Sequence, residues 1–184
     1  MSKVKKAMIT AVCVALCVVL AMAFRALPGG GTVYGPLMLP VLVCALACGV
    51  RCGVLCALLA VPLSAVINGS PTTALFLPVL VECLCCAVTA GLIASHAPRF
   101  DEKKVYPATL LGLLVARIVG GIVEAALFAP GLPAFGVYAA AYIVSGVPGL
   151  VVMLVLVPPL VRALAAVSYS PLCDIPAKEQ TYGE

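Results

Sequence analysis

The sequence is poor in charge. Of its 184 residues only 10% are Asp, Glu, Lys or Arg, against roughly 25% in an ordinary soluble domain. Hydrophobic residues make up 64% of the chain, which leaves too little polar surface to coat a soluble core. This composition excludes a soluble enzyme, a disordered chain and a nucleic-acid-binding domain, so the net charge of +4 is not a nucleic-acid signal. It predicts a chain that is solvated by lipid.

Catalytic motifs are also missing. The chain has one histidine, His96, and it contains no HExxH, no GxSxG and no GxxxxGK[ST] phosphate-binding loop. We therefore expect that the chain is not an enzyme and that it binds no metal and no cofactor. If ATP drives its activity, the ATPase must be another chain.

Cysteine, in contrast, is abundant, with ten residues. Nine of the ten lie inside apolar runs, and three pairs spaced four residues apart share a helix face: Cys13 with Cys17, Cys44 with Cys48, and Cys52 with Cys56. A metal or redox site would need thiolates and usually a second cluster of ligands. The favoured interpretation is that cysteine acts here as a small hydrophobic residue in helix packing.

Long apolar runs predict an all-α membrane protein, a bundle of six transmembrane helices, because about 20 apolar residues suffice for one crossing. Residues 1–167 form the predicted membrane domain, and 168–184 a polar cytoplasmic C-terminal tail. Lysines precede the first run as in a signal peptide, but further runs follow it and a clear cleavage site is absent, so we interpret it as a retained helix. The predicted spans are 7–24, 36–50, 52–67, 73–94, 106–128 and 136–165.

Basic residues predict the orientation. If the N-terminus is cytoplasmic, nine basic residues fall on the cytoplasmic side and only Arg25 on the outer side. This asymmetry matches the positive-inside rule and predicts that both termini are cytoplasmic. The nine are Lys3, Lys5, Lys6, Arg51, Arg99, Lys103, Lys104, Arg162 and Lys178.

Three charges lie within the predicted spans: Glu82, Arg117 and Glu124. Charged residues are costly in hydrocarbon and usually face a protein interior or a cavity. Arg117 and Glu124 share a helix face, with Gly120 and Gly121 between them. One hypothesis is a buried ion pair that only fixes helix packing. The other, which we favour because two acids and one base cannot pair off completely, is a solute site that opens outward.

Four further residues near the predicted outer side are weaker candidates for solute contacts. A pocket for a small polar solute is mostly apolar and has a few convergent polar groups. Each of the four also has a simpler role in packing or at the membrane interface. They are Tyr34, Asn68, Tyr138 and Tyr142.

From about Lys5 to Arg162 the chain resembles the substrate-binding S-components of energy-coupling-factor (ECF) vitamin transporters. The motifs that carry the resemblance are diffuse and extend over most of the chain. They are an Ala-rich first helix, a Gly-rich first loop, the run from Tyr34 to Gly49, Gly53-x-x-x-Ala57, Asn68-Gly-Ser-Pro71, Glu82, Arg117-x-x-Gly120-Gly121, Gly146-x-Pro-Gly149 and Val157-Pro-Pro-Leu-Val-Arg162.

The resemblance implies a subunit in the cytoplasmic membrane of a prokaryote that captures a vitamin or precursor near the outer face. Pantothenate-, pyridoxine- and pyrimidine-like solutes remain open. Its implied partners are a transmembrane coupling subunit and two cytoplasmic ATPases. The family docks through small residues of the first helix, a role that Ala7, Ala11 and Ala15 match here, with intramolecular packing as the alternative.

Two other functions remain open from the sequence. One is a self-sufficient secondary transporter or small channel, in which buried carboxylates carry protons or cations. Discontinuous helices and inverted halves would favour it. The other is a membrane scaffold, in which the buried charges are purely structural.

Overall fold

The computed structural model describes residues 3–25, 37–69, 71–95, 102–128 and 131–168. Tyr34 and residues 169–184 of the predicted tail lie outside these ranges. All regular secondary structure in the described ranges is α-helical, which confirms the predicted all-α class. The helices are α1 (Lys3–Arg25), α2 (Met38–Cys48), α3 (Val50–Asn68), α4 (Phe76–Ser95), α5 (Glu102–Phe128), α6 (Leu132–Ser145) and α7 (Val147–Ser168).

Five stretches in the described ranges are long and apolar enough to cross a membrane, as expected of a multi-pass membrane protein. Four of them are single helices and correspond to the predicted first, third, fourth and fifth spans. The fifth stretch extends over most of α6 and of α7. The stretches are Val4–Phe24, Val50–Asn68, Phe76–Ala94, Tyr106–Phe128 and Ala134–Val161.

The predicted second span, 36–50, is wrong in length. The helix found there, α2, has 11 residues and rises only about 16 Å, about half of a hydrocarbon core of roughly 30 Å. It packs against α1, α3, α4 and α7, and nine of its residues are buried. A helix that is hydrophobic on every side belongs in a core, and α2 is accordingly the centre of the bundle.

A single residue, Gly49, separates α2 from α3. Its φ of 94° is in a region that side chains disfavour, so glycine permits the turn. The two helices then run back along each other so closely that a Cβ on Gly53 would fall 2.6 Å from the Cβ of Ala45. The predicted second and third spans leave only Arg51 between them, and in the structure Arg51 lies in the first turn of α3 rather than in a connecting loop.

The predicted sixth span, 136–165, is interrupted at Gly146, between α6 and α7. Pro148 explains the interruption, because proline has no N–H to donate and its ring clashes with the carbonyl of the residue four positions earlier. Gly146 itself keeps a helical backbone conformation. The interruption is therefore a local break in a continuing apolar segment.

Helices α4 and α5 run antiparallel and fix the position of the buried charges. Gly112 of α5 faces Ala90 of α4, and eight residues further along α5, Gly120 faces Glu82. Arg117 lies almost one turn before Gly120 on α5. The charged residues of the two helices are therefore brought together inside the bundle.

Candidate functional site

Glu82 of α4 and Arg117 of α5 form a buried ion pair. The Arg117 Nε lies 3.1 Å from the Glu82 Oε1, and the two side chains are only 6% and 5% exposed. The Nε–H does not point at this oxygen with hydrogen-bond geometry, so charge attraction holds the contact. Among apolar helices this attraction is only weakly screened.

Tyr142 of α6 contacts both members of this pair. Its hydroxyl donates a hydrogen bond of 2.7 Å to the Glu82 Oε2. The guanidinium carbon of Arg117 lies 5.4 Å from the centre of its ring, within the range of a cation–π interaction. We call Glu82, Arg117 and Tyr142 the charged triad, and it joins α4, α5 and α6.

Two glycines provide the space that the charged triad occupies. A Cβ on Gly120 would fall 3.3 Å from the Tyr142 ring and 3.4 Å from the Glu82 side chain. A Cβ on Gly146 would fall 2.6 Å from the Arg117 Nε, closer than real atoms approach. The break between α6 and α7 is thus in direct contact with the buried guanidinium.

Glu124 lies two turns beyond Arg117 on α5, about 10 Å further along the helix axis. Its side chain is half-buried, and its Oε2 is buried without a hydrogen-bond partner. Arg117 and Glu82 both act on Glu124 electrostatically. The prediction that the two acids and one base cannot pair off completely agrees with this arrangement.

The weaker candidates from the sequence lie in different surroundings in the structure. Only Tyr142 joins the charged triad. Tyr138, one turn earlier on α6, is 46% exposed. The buried Asn68 donates a hydrogen bond of 3.0 Å to the Val18 carbonyl and so ties α3 to α1.

The three alanines of the predicted docking surface, Ala7, Ala11 and Ala15, are all exposed on α1. They are therefore not used in packing within the bundle.

Gly146 was missed as a site residue by sequence reasoning. In the sequence it stands out only as part of the Gly146-x-Pro-Gly149 motif. The available signal was Pro148, which predicts a break in the helix one or two residues earlier. The register between α5 and α6, which brings the break to Arg117, is set by packing and has no local signature.

Nine cysteines in the described ranges are unpaired thiols. Several meet where α1, α2 and α3 pack, with the Cys44 thiol in reach of those of Cys13, Cys48 and Cys56. The Cys44 Sγ also lies 3.6 Å from the Thr10 hydroxyl. No group of three or more potential ligands in the described parts of the chain is arranged to hold a metal ion.

A separate cavity of about 410 Å³ opens where α3 ends and α4 begins, lined by Ala65, Gly69, Pro71, Thr72, Thr73 and Phe76. It lies at the junction of the predicted third and fourth spans, 52–67 and 73–94. The charged triad does not line it, but Glu82 lies only six residues beyond Phe76, about 9 Å along α4. The cavity and the charged triad are therefore close along this helix.

Comparison of the chain with protein-family models, with curated proteins and with solved structures gives no match.

Proposed function

We propose that the chain is the solute-binding S-component of an ECF-type importer, which captures a water-soluble vitamin or precursor and delivers it inward. The observation that carries the proposal is the charged triad together with Glu124. A structural ion pair needs one acid and one base, whereas this cluster holds a second acid with a buried oxygen that has no partner. Ionisable groups inside membrane spans mark substrate and ion pathways, and an acid that the protein leaves without a partner is available to a solute.

In the proposed mechanism the chain binds and releases the solute and catalyses no reaction. The solute enters from the outer side, is held near the charged triad and Glu124, and is released inside when the chain engages its partners. A transmembrane coupling subunit and two cytoplasmic ATPases supply the energy. The proposal places both termini in the cytoplasm of a prokaryote, with the segment that contains the short helix α2 as the second of six crossings and α6 with α7 as the last.

The exposed alanines of α1 support the partner part of the proposal. Ala7, Ala11 and Ala15 follow one another at four-residue spacing on a surface that the bundle leaves open. Small residues at this spacing allow two helices to approach closely within a membrane. This surface is the proposed contact with the coupling subunit.

The test is mild purification of the full chain from its native cells, followed by mass spectrometry of retained small molecules and of co-purifying proteins. The proposal expects one enriched vitamin-like solute and ATPase chains in stoichiometric amounts. Recovery of the chain with neither would overturn it and would favour a scaffold.

One observation favours a second candidate, a self-sufficient secondary transporter. Transporters of that class bind their solutes at discontinuous helices near the middle of the bilayer, and the α6–α7 break meets Arg117, about 16 Å along α5 from its end at Phe128. Reconstitution of the chain alone in liposomes separates the two candidates. Solute uptake driven by an ion gradient, without any ATPase, would replace the ECF proposal by this one.

A further inference from the structure

The chemical class of the solute can be narrowed from the arrangement of the buried charges, and this inference rests on the proposed function. Both hydrogen-bond donors and anions on a solute could in principle find partners among two carboxylates and one guanidinium. The choice between a donor-bearing and an anionic solute depends on which of these three side chains already have partners within the protein.

Arg117 is enclosed on several sides. Its Nε faces the Glu82 carboxylate at 3.1 Å, and its guanidinium carbon lies 5.4 Å from the Tyr142 ring centre. The Gly146 backbone lies against the same group, since a Cβ there would meet its Cζ, Nε and Nη1. A carboxylate or phosphate on a solute would have to displace Glu82, at the cost of leaving a buried charge without its partner.

Glu82 is occupied as well. Its Oε1 receives no hydrogen bond but is ion-paired with the Arg117 Nε at 3.1 Å, and its Oε2 accepts a hydrogen bond of 2.7 Å from the Tyr142 hydroxyl. Its side chain is only 5% exposed. Neither oxygen is therefore open to a solute unless the charged triad comes apart.

Glu124 is the remaining group. Its buried Oε2 has no hydrogen-bond partner, and a buried acceptor without a donor is costly. The opposite charge nearby, Arg117, is already paired with Glu82. The Glu124 Oε2 therefore lacks a hydrogen-bond donor, and a positively charged donor would interact with it most strongly.

We propose that the transported solute presents an ammonium or another N–H group to the Glu124 carboxylate, and that the site discriminates against solutes recognised through a carboxylate or phosphate. Within the range left open by the sequence, this favours amine- and aminopyrimidine-bearing vitamins over pantothenate-like acids.

The test uses the full chain in lipid nanodiscs, incubated with a small-molecule extract of its native cells supplemented with equal amounts of six probes. Three carry an ammonium or amino group (pyridoxamine, thiamine, cytosine), and three are anions (pantothenate, nicotinate, 4-pyridoxate). Retained compounds are quantified by mass spectrometry against empty nanodiscs. We expect the enriched compounds to carry an amine or amino N–H.

Substitution of Glu124 gives the matched comparison. Glu124→Gln keeps the shape but removes the charge, so we expect retention of the enriched compound to fall about 10- to 100-fold, as for loss of a hydrogen bond to a charged group. Glu124→Asp, which keeps the charge, should retain more than Glu124→Gln. Glu102→Gln, 22 residues earlier at the start of α5, should match the unmodified chain.

The outcomes separate the two proposals. Enrichment of anions alone, or equal retention by Glu124→Gln and the unmodified chain, would overturn the inference and leave the solute-binding function intact. Retention of nothing above empty nanodiscs would overturn both.

Discussion

Gly146 and Arg117 are in direct contact, although 29 positions separate them along the chain. A Cβ at position 146 would fall 2.6 Å from the Arg117 Nε and 2.7 Å from its Nη1. The ion pair of Arg117 with Glu82 at 3.1 Å therefore depends on a missing side chain at the α6–α7 break.

Gly146→Ala tests this dependence. We expect the guanidinium to be pushed from its place against Glu82 and the free energy of unfolding to fall by about 1–3 kcal/mol, the usual cost of overpacking. Thermal unfolding in detergent, followed by circular dichroism, measures the change. Gly136→Ala is the matched control on α6, because a Cβ there meets nothing within 4 Å and should stabilise the helix slightly. Equal behaviour of the two variants would contradict the prediction.

Tyr142→Phe removes one hydroxyl from the charged triad. The Glu82 Oε2 then loses its 2.7 Å donor, and a buried carboxylate oxygen without a partner costs about 1–3 kcal/mol of stability. Tyr138→Phe, one turn away on the exposed side of α6, should change stability by less than about 0.5 kcal/mol. A Tyr142→Phe variant as stable as Tyr138→Phe would show that this hydrogen bond contributes nothing.

The ion pair itself is tested by a double-mutant cycle with Glu82→Gln and Arg117→Met. Each single substitution leaves one buried charge unpaired, which costs about 3–5 kcal/mol. The double variant removes both charges, so its loss of stability should be smaller than the two single losses added together. Additive losses would mean that the two charges do not stabilise each other.

Asn68→Ala tests whether Asn68 stabilises the fold without contributing to solute binding. The Asn68 amide donates to the Val18 carbonyl at 3.0 Å and joins α3 to α1, so its removal should lower stability by about 1 kcal/mol. Solute retention in nanodiscs should stay unchanged when measured well below the unfolding temperature. A retention loss as large as that expected for Glu124→Gln would show that Asn68 also contributes to solute binding.

Ala11→Leu tests the proposed docking surface on α1. A larger side chain at the middle of the three exposed alanines should prevent close helix approach, and co-purification of the ATPase chains should fall at least about tenfold, equivalent to about 1.4 kcal/mol. The control is Ala163→Leu at an exposed alanine of α7. Undiminished co-purification with Ala11→Leu would exclude this surface as the contact.

Sequence reasoning found the long apolar helices and the three buried charges because both are composition signals. A run of about 20 apolar residues has few other structures open to it, and a charge inside such a run stands out. The sequence could not decide whether Glu82 pairs with Arg117 or Arg117 pairs with Glu124. That choice depends on the antiparallel register in which Gly120 faces Glu82, and register comes from packing across two helices.

Two features escaped prediction for different reasons. The sequence predicts an ordinary span where α2 lies, since hydropathy does not distinguish burial among helices from burial in lipid. The partnership of Gly146 with Arg117 joins two distant segments, and a glycine has no side chain to suggest a contact. Tyr142 was identified only as one weak candidate among four, because a tyrosine near a membrane interface is common without a specific role.

The central position of α2 has a consequence for how the protein is assembled during synthesis. This helix is the second of those described, yet one of the helices that enclose it is α7, the last of them. The core around α2 therefore cannot close until α7 has emerged from the ribosome. Until then the newly made chain contains a short, wholly apolar helix that lacks one of the helices against which it packs in the folded protein.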